Sequence, residues 1–224
     1  MTCWFITGTD TEVGKTVASC ALLQAAKTLG MTTAGYKPVA SGSKLTASGV
    51  YNEDALALQR NSSIRLSYGQ VNPIAFVEPT SPHIVSIAEG RAIEFSHLSA
   101  GLHTLKKKAQ YVIVEGAGGW YTPLSQEQTY ADWVVSEKLP VILVIGIKLG
   151  CINHAILTIE AIKNHGLSLA GWIANDITPP GKRHSEYMDY LKNNINARFL
   201  GEIPYLSNVS KEYDYGQYLN IESM

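Results

Sequence analysis

Apolar and polar residues are arranged in blocks along the chain. Compact apolar runs occupy residues 3–7, 32–39, 111–115, 140–147, 169–176 and 199–204, each short enough for a strand. Between them the apolar positions take helical spacing. Val17, Leu22, Leu23, Ala26 and Leu29 fall three and four apart after the first run. Asn52 caps a helix over 53–59 that opens on Glu53 and Asp54, further helices are predicted at 84–89 and 96–108, and another runs on from the segment 148–154 to about 164. Another starts after Pro179-Pro180-Gly181 and contains Tyr187. Residues 40–49 and the proline-punctuated 71–83 read as connections, with His83 just before its helix. Strand and helix alternate throughout. That predicts an α/β fold, a mostly parallel sheet flanked by helices on both faces. Ligands then belong at the carboxyl ends of the strands.

The first such end carries Gly8-Thr9-Asp10-Thr11-Glu12-Val13-Gly14-Lys15-Thr16. Strand, glycine-bearing loop, Gly-Lys-Thr and helix are the context of a phosphate loop, which makes the expected α/β fold P-loop NTPase-like. Backbone N–H groups of the turn and of the helix's first turn converge on one point, where a polyphosphate can sit. Lys15 reaches the β- and γ-phosphates, and the Thr16 hydroxyl ligates Mg²⁺. The loop is a variant: the usual first glycine would fall at Thr9, with Gly8 one place earlier. Thr11 and Glu12 replace glycines and face the substrate.

Other strand ends hold further polar candidates. Lys37 and Ser41 follow the second run, although residue type alone favours a solvated lysine. Two acids in a first helical turn are explained by the helix dipole, so Asp54 needs independent support as a metal ligand. Glu115 ends a β-branched strand, where a buried charge must be paired or metal-bound, and Gly116, Ala117 and Gly118 let backbone approach a ligand. Lys148 and the amides of the following helix suit an anionic group such as a carboxylate. Cys151 and His154 resemble a thiol–base pair but lack a third group. Asn175 can pair with an adenine edge through its amide, or it and Asp176 can serve a turn.

Composition narrows the setting. A chain of 224 residues with 46% hydrophobic content is predicted to form one domain, 1–224. A net charge of −1 gives no reason to expect nucleic acid or a membrane as partner. Three scattered cysteines without a CxxC fit a reduced, cytoplasmic setting. No signal-peptide pattern or membrane-length apolar run is present.

The phosphate loop, residues 35–42, 115–119, 150–154, Asn175-Asp176 and 201–204 together resemble the dethiobiotin synthetase family, over nearly the whole chain to about Leu206. The resemblance implies a ligase that converts 7,8-diaminopelargonate, CO₂ and MgATP to dethiobiotin, ADP and phosphate. It implies Thr16, Asp54 and Glu115 at Mg²⁺, and Lys15, Lys37 and Ser41 around a carbamate and the γ-phosphate, with Thr11 and Glu12 at the same junction. Glu12, Val13, Gly14, Lys15, Thr16 and Val17 would hold the phosphates, with Gly116, Ala117 and Gly118 alongside. Asn175 and Asp176, with Pro204, Tyr205 and Leu206, would hold the adenosine. It further implies a homodimer in which Lys148, Leu149, Gly150, Cys151, Ile152, Asn153 and Tyr187 bind substrate, the segment from Leu149 to Asn153 and Tyr187 closing the pocket of the other subunit. A further nucleotide contact of the family falls near Lys211, where this chain diverges. The rival reading is a switch ATPase of the partition or septum-positioning type. Such proteins carry an extra lysine where this chain has Asp10. A cobyrinate-type amide synthase would need a longer chain.

Overall fold

The computed structural model describes residues 2–207 and 213–222. Its centre is a six-stranded, wholly parallel sheet. The strands are β1 (Thr2–Gly8), β2 (Thr33–Tyr36), β7 (Tyr111–Gly119), β8 (Val141–Gly146), β9 (Leu169–Asn175) and β10 (Phe199–Ile203), ordered β10-β9-β8-β1-β7-β2. Four shorter strands stand apart: β3 (Val39–Ala40) pairs with β6 (Ile74–Ala75), and β4 (Lys44–Thr46) with β5 (Gly49–Tyr51). The helices are α1 (Lys15–Thr28), α2 (Glu53–Asn61), α3 (Tyr68–Val71), α4 (Pro82–Ala88), α5 (Phe95–Lys106), α6 (Tyr130–Ser136), α7 (Cys151–Asn164) and α8 (His184–Asn194).

Strand periodicity shows that both sheet faces are covered. In β8, Ile142 and Val144 join the larger core cluster, which includes Phe5, Leu22, Leu102 and Trp133. The intervening Leu143 and Ile145 join a second cluster with Trp172, Ala155 and Leu191. A parallel strand buried on both faces is an unbroken apolar run, which is why these strands are legible as such.

The chain leaves β1 for the edge strand β2, returns through β7, and then crosses to β8 on the other side of β1. The crevice at this reversal lies beyond the carboxyl ends of β1 and β7, where the phosphate loop stands.

Several boundaries differ from expectation. The run 32–39 is not one strand. Lys37 N–H donates to the Val71 carbonyl at 2.8 Å, Pro38 has no N–H for the ladder, and the chain turns off to form β3. The strand through Glu115 continues to Gly119, so this carboxylate lies within a strand and not at its end. His83 lies inside α4, which starts at Pro82, a proline preset for a first helical turn. The connection 40–49 contains the β4–β5 ribbon, and α6 is a helix that the apolar spacing does not predict. Asn52 is the expected cap: its side chain accepts from the N–H groups of Asp54 and Ala55.

Candidate functional site

The loop between β1 and α1 is held open by its own backbone. Gly14 caps α1 at φ +89° without a side-chain cap, which leaves the first-turn amides for a ligand. A Cβ there would collide with the Asn175 amide, whose Nδ2 donates to the Val13 carbonyl at 3.0 Å. Asn175 therefore buttresses the loop from the end of β9. Glu12 also adopts a left-handed conformation, φ +61°, uncommon for a residue with a side chain. Lys15 Nζ donates to the Asp10 carbonyl at 3.0 Å, arching back over the loop. Burial pushes the Lys15 ammonium down to about 8, and neighbouring Lys37 adds to the effect.

Lys37 is not a solvated lysine. It is buried, with Nζ 2.6 Å from Glu115 Oε1 and 3.0 Å from Asp54 Oδ2. Burial works against its charge, but Glu115 and Asp54 outweigh that and hold its pKa above the ordinary lysine value. Burial likewise raises the Asp54 carboxyl, and the charge and hydrogen bond of Lys37 overcome it and hold it below the usual range. Thr16 Oγ1 donates to Glu115 Oε1 at 2.8 Å. Glu115 is fully buried, and its second oxygen, Oε2, has no hydrogen-bond partner. Three oxygen ligands beside one orphaned carboxylate oxygen are what a hard divalent cation takes up, so the residues fit Mg²⁺.

Thr11, Glu12, Gly14, Lys15, Thr16, Val17, Lys37, Ser41, Asp54, Glu115, Ala117 and Gly118 line one cavity of about 370 Å³. A second cavity of about 520 Å³ shares Thr11, Glu12, Ser41, Ala117 and Gly118 and extends along Pro79, Thr80, Ser81, Pro82 and Thr122. Sequence reasoning misses those last five residues. The hydroxyls of 78–83 are the available signal, but prolines make the segment read as a plain connection.

The remaining candidates lie outside these cavities. Val13 and Gly116 are buried, Gly116 against the Phe5 ring. Asn175 ends β9 opposite Ile203, and Asp176 N–H donates to the Ile203 carbonyl, which sets both at the end of β10 where the segment from Pro204 to Leu206 begins. Lys148, Leu149 and Tyr187 line a separate cavity. Lys148 Nζ lies 3.5 Å from Asp10 Oδ2, an ion pair the sequence does not suggest. The Cys151 thiol is buried in the second core cluster and its N–H donates to the Lys148 carbonyl. Its sulfur and its amide are thus both engaged within the chain. Leu149, by contrast, is 86% exposed. Position 211 lies outside the described residues.

A parallel sheet with this loop and a lysine–carboxylate centre at its carboxyl edge defines the chain as a P-loop nucleotide-binding α/β protein. A family model described as an AAA domain matches residues 3–213. A plasmid partition protein from Borrelia burgdorferi, solved with AMPPNP, superimposes with a TM-score of 0.55 at 15% identity, covering 97% of this chain and 94% of its own. MinD from Aquifex aeolicus gives 0.53 at 14%, covering 92% and 84%. These likenesses carry the fold alone. The sequence relatives are much nearer. An ATP-dependent dethiobiotin synthetase of Escherichia coli K12 is 64% identical over 218 residues, 97% of each chain. One from Salmonella typhimurium is 62% identical over 221 residues, 99% of this chain and 97% of its own. The chain belongs to the ATP-dependent dethiobiotin synthetase family.

Proposed function

We propose that the chain closes a ureido ring as a cyclo-ligase, converting 7,8-diaminopelargonate, CO₂ and ATP to dethiobiotin, ADP and phosphate. The observation that carries this is the buried Lys37, clasped by Glu115 and Asp54, at the junction of the phosphate-loop cavity and the hydroxyl-lined one. CO₂ reacts only with a neutral amine, and cations at that junction disfavour an ammonium while stabilising the carbamate anion. Lys15 and Lys37 supply those cations, and Ser41, shared by both cavities, is placed to orient the carbamate. Holding this labile anion in line with the γ-phosphate is much of the catalysis. After phosphorylation to a carbamic–phosphoric anhydride, the second amine attacks the activated carbon and phosphate departs.

Thr16, Asp54 and Glu115 would hold Mg²⁺, whose charge, when bound, offsets that of the phosphate oxygens. Asn175, Asp176 and residues 204–206 are assigned to adenosine. The exposed Leu149, with Tyr187 beside it along a separate cavity, supports a homodimer in which these residues cover the partner's substrate. Three cysteines without a disulfide support a cytoplasmic location, and residues 1–224 are read as one domain. Among the described residues no helix is long and apolar enough to cross a membrane. The switch-ATPase reading has only fold likeness behind it, and Asp10, where such proteins carry a lysine, is paired with Lys148.

The test is phosphate release from MgATP and bicarbonate with and without the diamine, with mass detection of product. Diamine-dependent release matched one to one by dethiobiotin is expected. Release indifferent to the diamine, with no ureido product, would overturn the assignment.

A further inference from the structure

We propose that Asp176, His184 and Glu202 form a binding site for a divalent transition-metal ion of the zinc class. The three side chains come from three elements: Asp176 lies just past β9, His184 opens α8, and Glu202 lies in β10. His184 Nε2 is 2.8 Å from Asp176 Oδ1 and 3.4 Å from Glu202 Oε1. One ligand atom of each lies within 4.8 Å of the others. Ligands about 2.0–2.2 Å from a tetrahedral zinc stand roughly 3.3–3.6 Å apart, so small side-chain movements suffice. The backbone already fixes two members. Asp176 N–H is bonded to the Ile203 carbonyl at 2.9 Å, and the parallel ladder sets Glu202 opposite Ala174.

Exposure grades across the group. The side chain of Asp176 is 3% exposed, that of His184 19% and that of Glu202 34%. The group thus has a closed floor and an open mouth, which admits an ion and leaves it a water ligand. The charge pattern points the same way. Two carboxylates face one imidazole nitrogen, whose single N–H at 2.8 Å serves Asp176 and leaves Glu202 a poorly compensated like charge beside it. A divalent ion balances both, with the imidazole neutral, its proton on Nδ1 and its Nε2 lone pair on the metal. Binding therefore displaces the Nε2 proton, and a neutral ring takes a proton back at Nδ1. One imidazole with two carboxylates selects zinc, cobalt or nickel over magnesium. None of the three lines the cavity of Thr16, Asp54 and Glu115, so the two cation sites are distinct.

The experiment titrates Co²⁺ into the nucleotide-free, thiol-reduced full chain, with excess Mg²⁺ to occupy the phosphate-loop oxygens. One equivalent of visible d–d absorption is expected, without a near-ultraviolet sulfur band, and Zn²⁺ displaces it. Zn²⁺ also raises the melting temperature. His184→Gln and Glu202→Gln each weaken binding by at least about tenfold. A second measurement needs no variant: among the six histidines, Zn²⁺ shifts the Nε2 resonance of His184 in the wild-type chain. Lack of stoichiometric binding, a sulfur-to-cobalt band, or binding that leaves the His184 resonance unmoved would overturn the proposal.

Discussion

Replacing Lys37 with glutamine removes the cation from between two carboxylates while nearly preserving its length. The wild-type ammonium lies 2.6 Å from Glu115, which is fully buried, and 3.0 Å from Asp54, whose side chain is 46% exposed. Losing one partner of a buried pair costs about 3–5 kcal/mol. Solvent screens the Asp54 share, so the lower end, about 3 kcal/mol, is expected. For a chain of this size each kcal/mol moves the melting temperature by about 2–4 °C, giving a fall of roughly 6–12 °C without added metal. If Thr16, Asp54 and Glu115 hold Mg²⁺, the ion restores a positive charge between the carboxylates and should recover much of that loss. It should not recover turnover, which is expected to drop about 10²–10³-fold, the scale for one lost oxyanion donor. Scanning calorimetry with and without Mg²⁺, beside the diamine-dependent phosphate assay, reads both quantities. A stability loss indifferent to Mg²⁺ would refute the shared-carboxylate metal site. Turnover near the wild-type rate would remove Lys37 from the chemistry.

Three further outcomes are expected. Gly14→Ala forces a Cβ into the Asn175 amide at φ +89°, so fluorescent-nucleotide titration should show ATP binding largely lost, with about 1–2 kcal/mol of stability lost to the left-handed backbone alone. If the proposed homodimer closes through Leu149, Leu149→Asp should shift the sedimentation coefficient toward that of a monomer and lower turnover while ATP binding by each subunit persists, because Leu149 is 86% exposed and absent from the phosphate cavity's lining. Partial burial raises the Glu137 carboxyl, but hydrogen bonds with Ser99 and His103 and the charge of Lys106 outweigh it and hold it below its ordinary 4.5. A depressed carboxyl stabilises the fold above the unfolded-state pKa and loses that contribution as pH falls through the folded one. The stability gap between wild type and Glu137→Gln in urea should therefore be full at neutral pH and close below about 4.5.

The active-site cluster illustrates a division between local and long-range information. Glu115 sits 78 residues from Lys37 and 99 from Thr16, yet all three meet within hydrogen-bond distance. Each residue is visible in its own segment, Thr16 in the phosphate loop, Lys37 after β2 and Glu115 in the apolar run of β7. Their pairing is not, since residue type alone makes Lys37 a solvated side chain. Likewise Asn175, legible as either an adenine reader or a turn residue, proves first of all to be a strut under Val13.

Features that depend on nearest neighbours along the chain are legible from the residues alone. Unbroken apolar runs marked the central strands, three- and four-residue spacing marked the long helices, Asn52 marked a cap, and Gly14-Lys15-Thr16 marked the phosphate loop. Tertiary structure alone decided where β2 ends, since Lys37 N–H is claimed by the carbonyl of the sequence-distant Val71, at the end of α3. It alone buried the Cys151 thiol, carried β7 past Glu115, and set the hydroxyls of Thr80, Ser81 and Thr122 around the second cavity. The physical reason is one of range. Periodicity and capping are enforced within a turn or two of backbone. Burial, ion pairing and cavity lining are set by whichever distant segments the sheet order brings together.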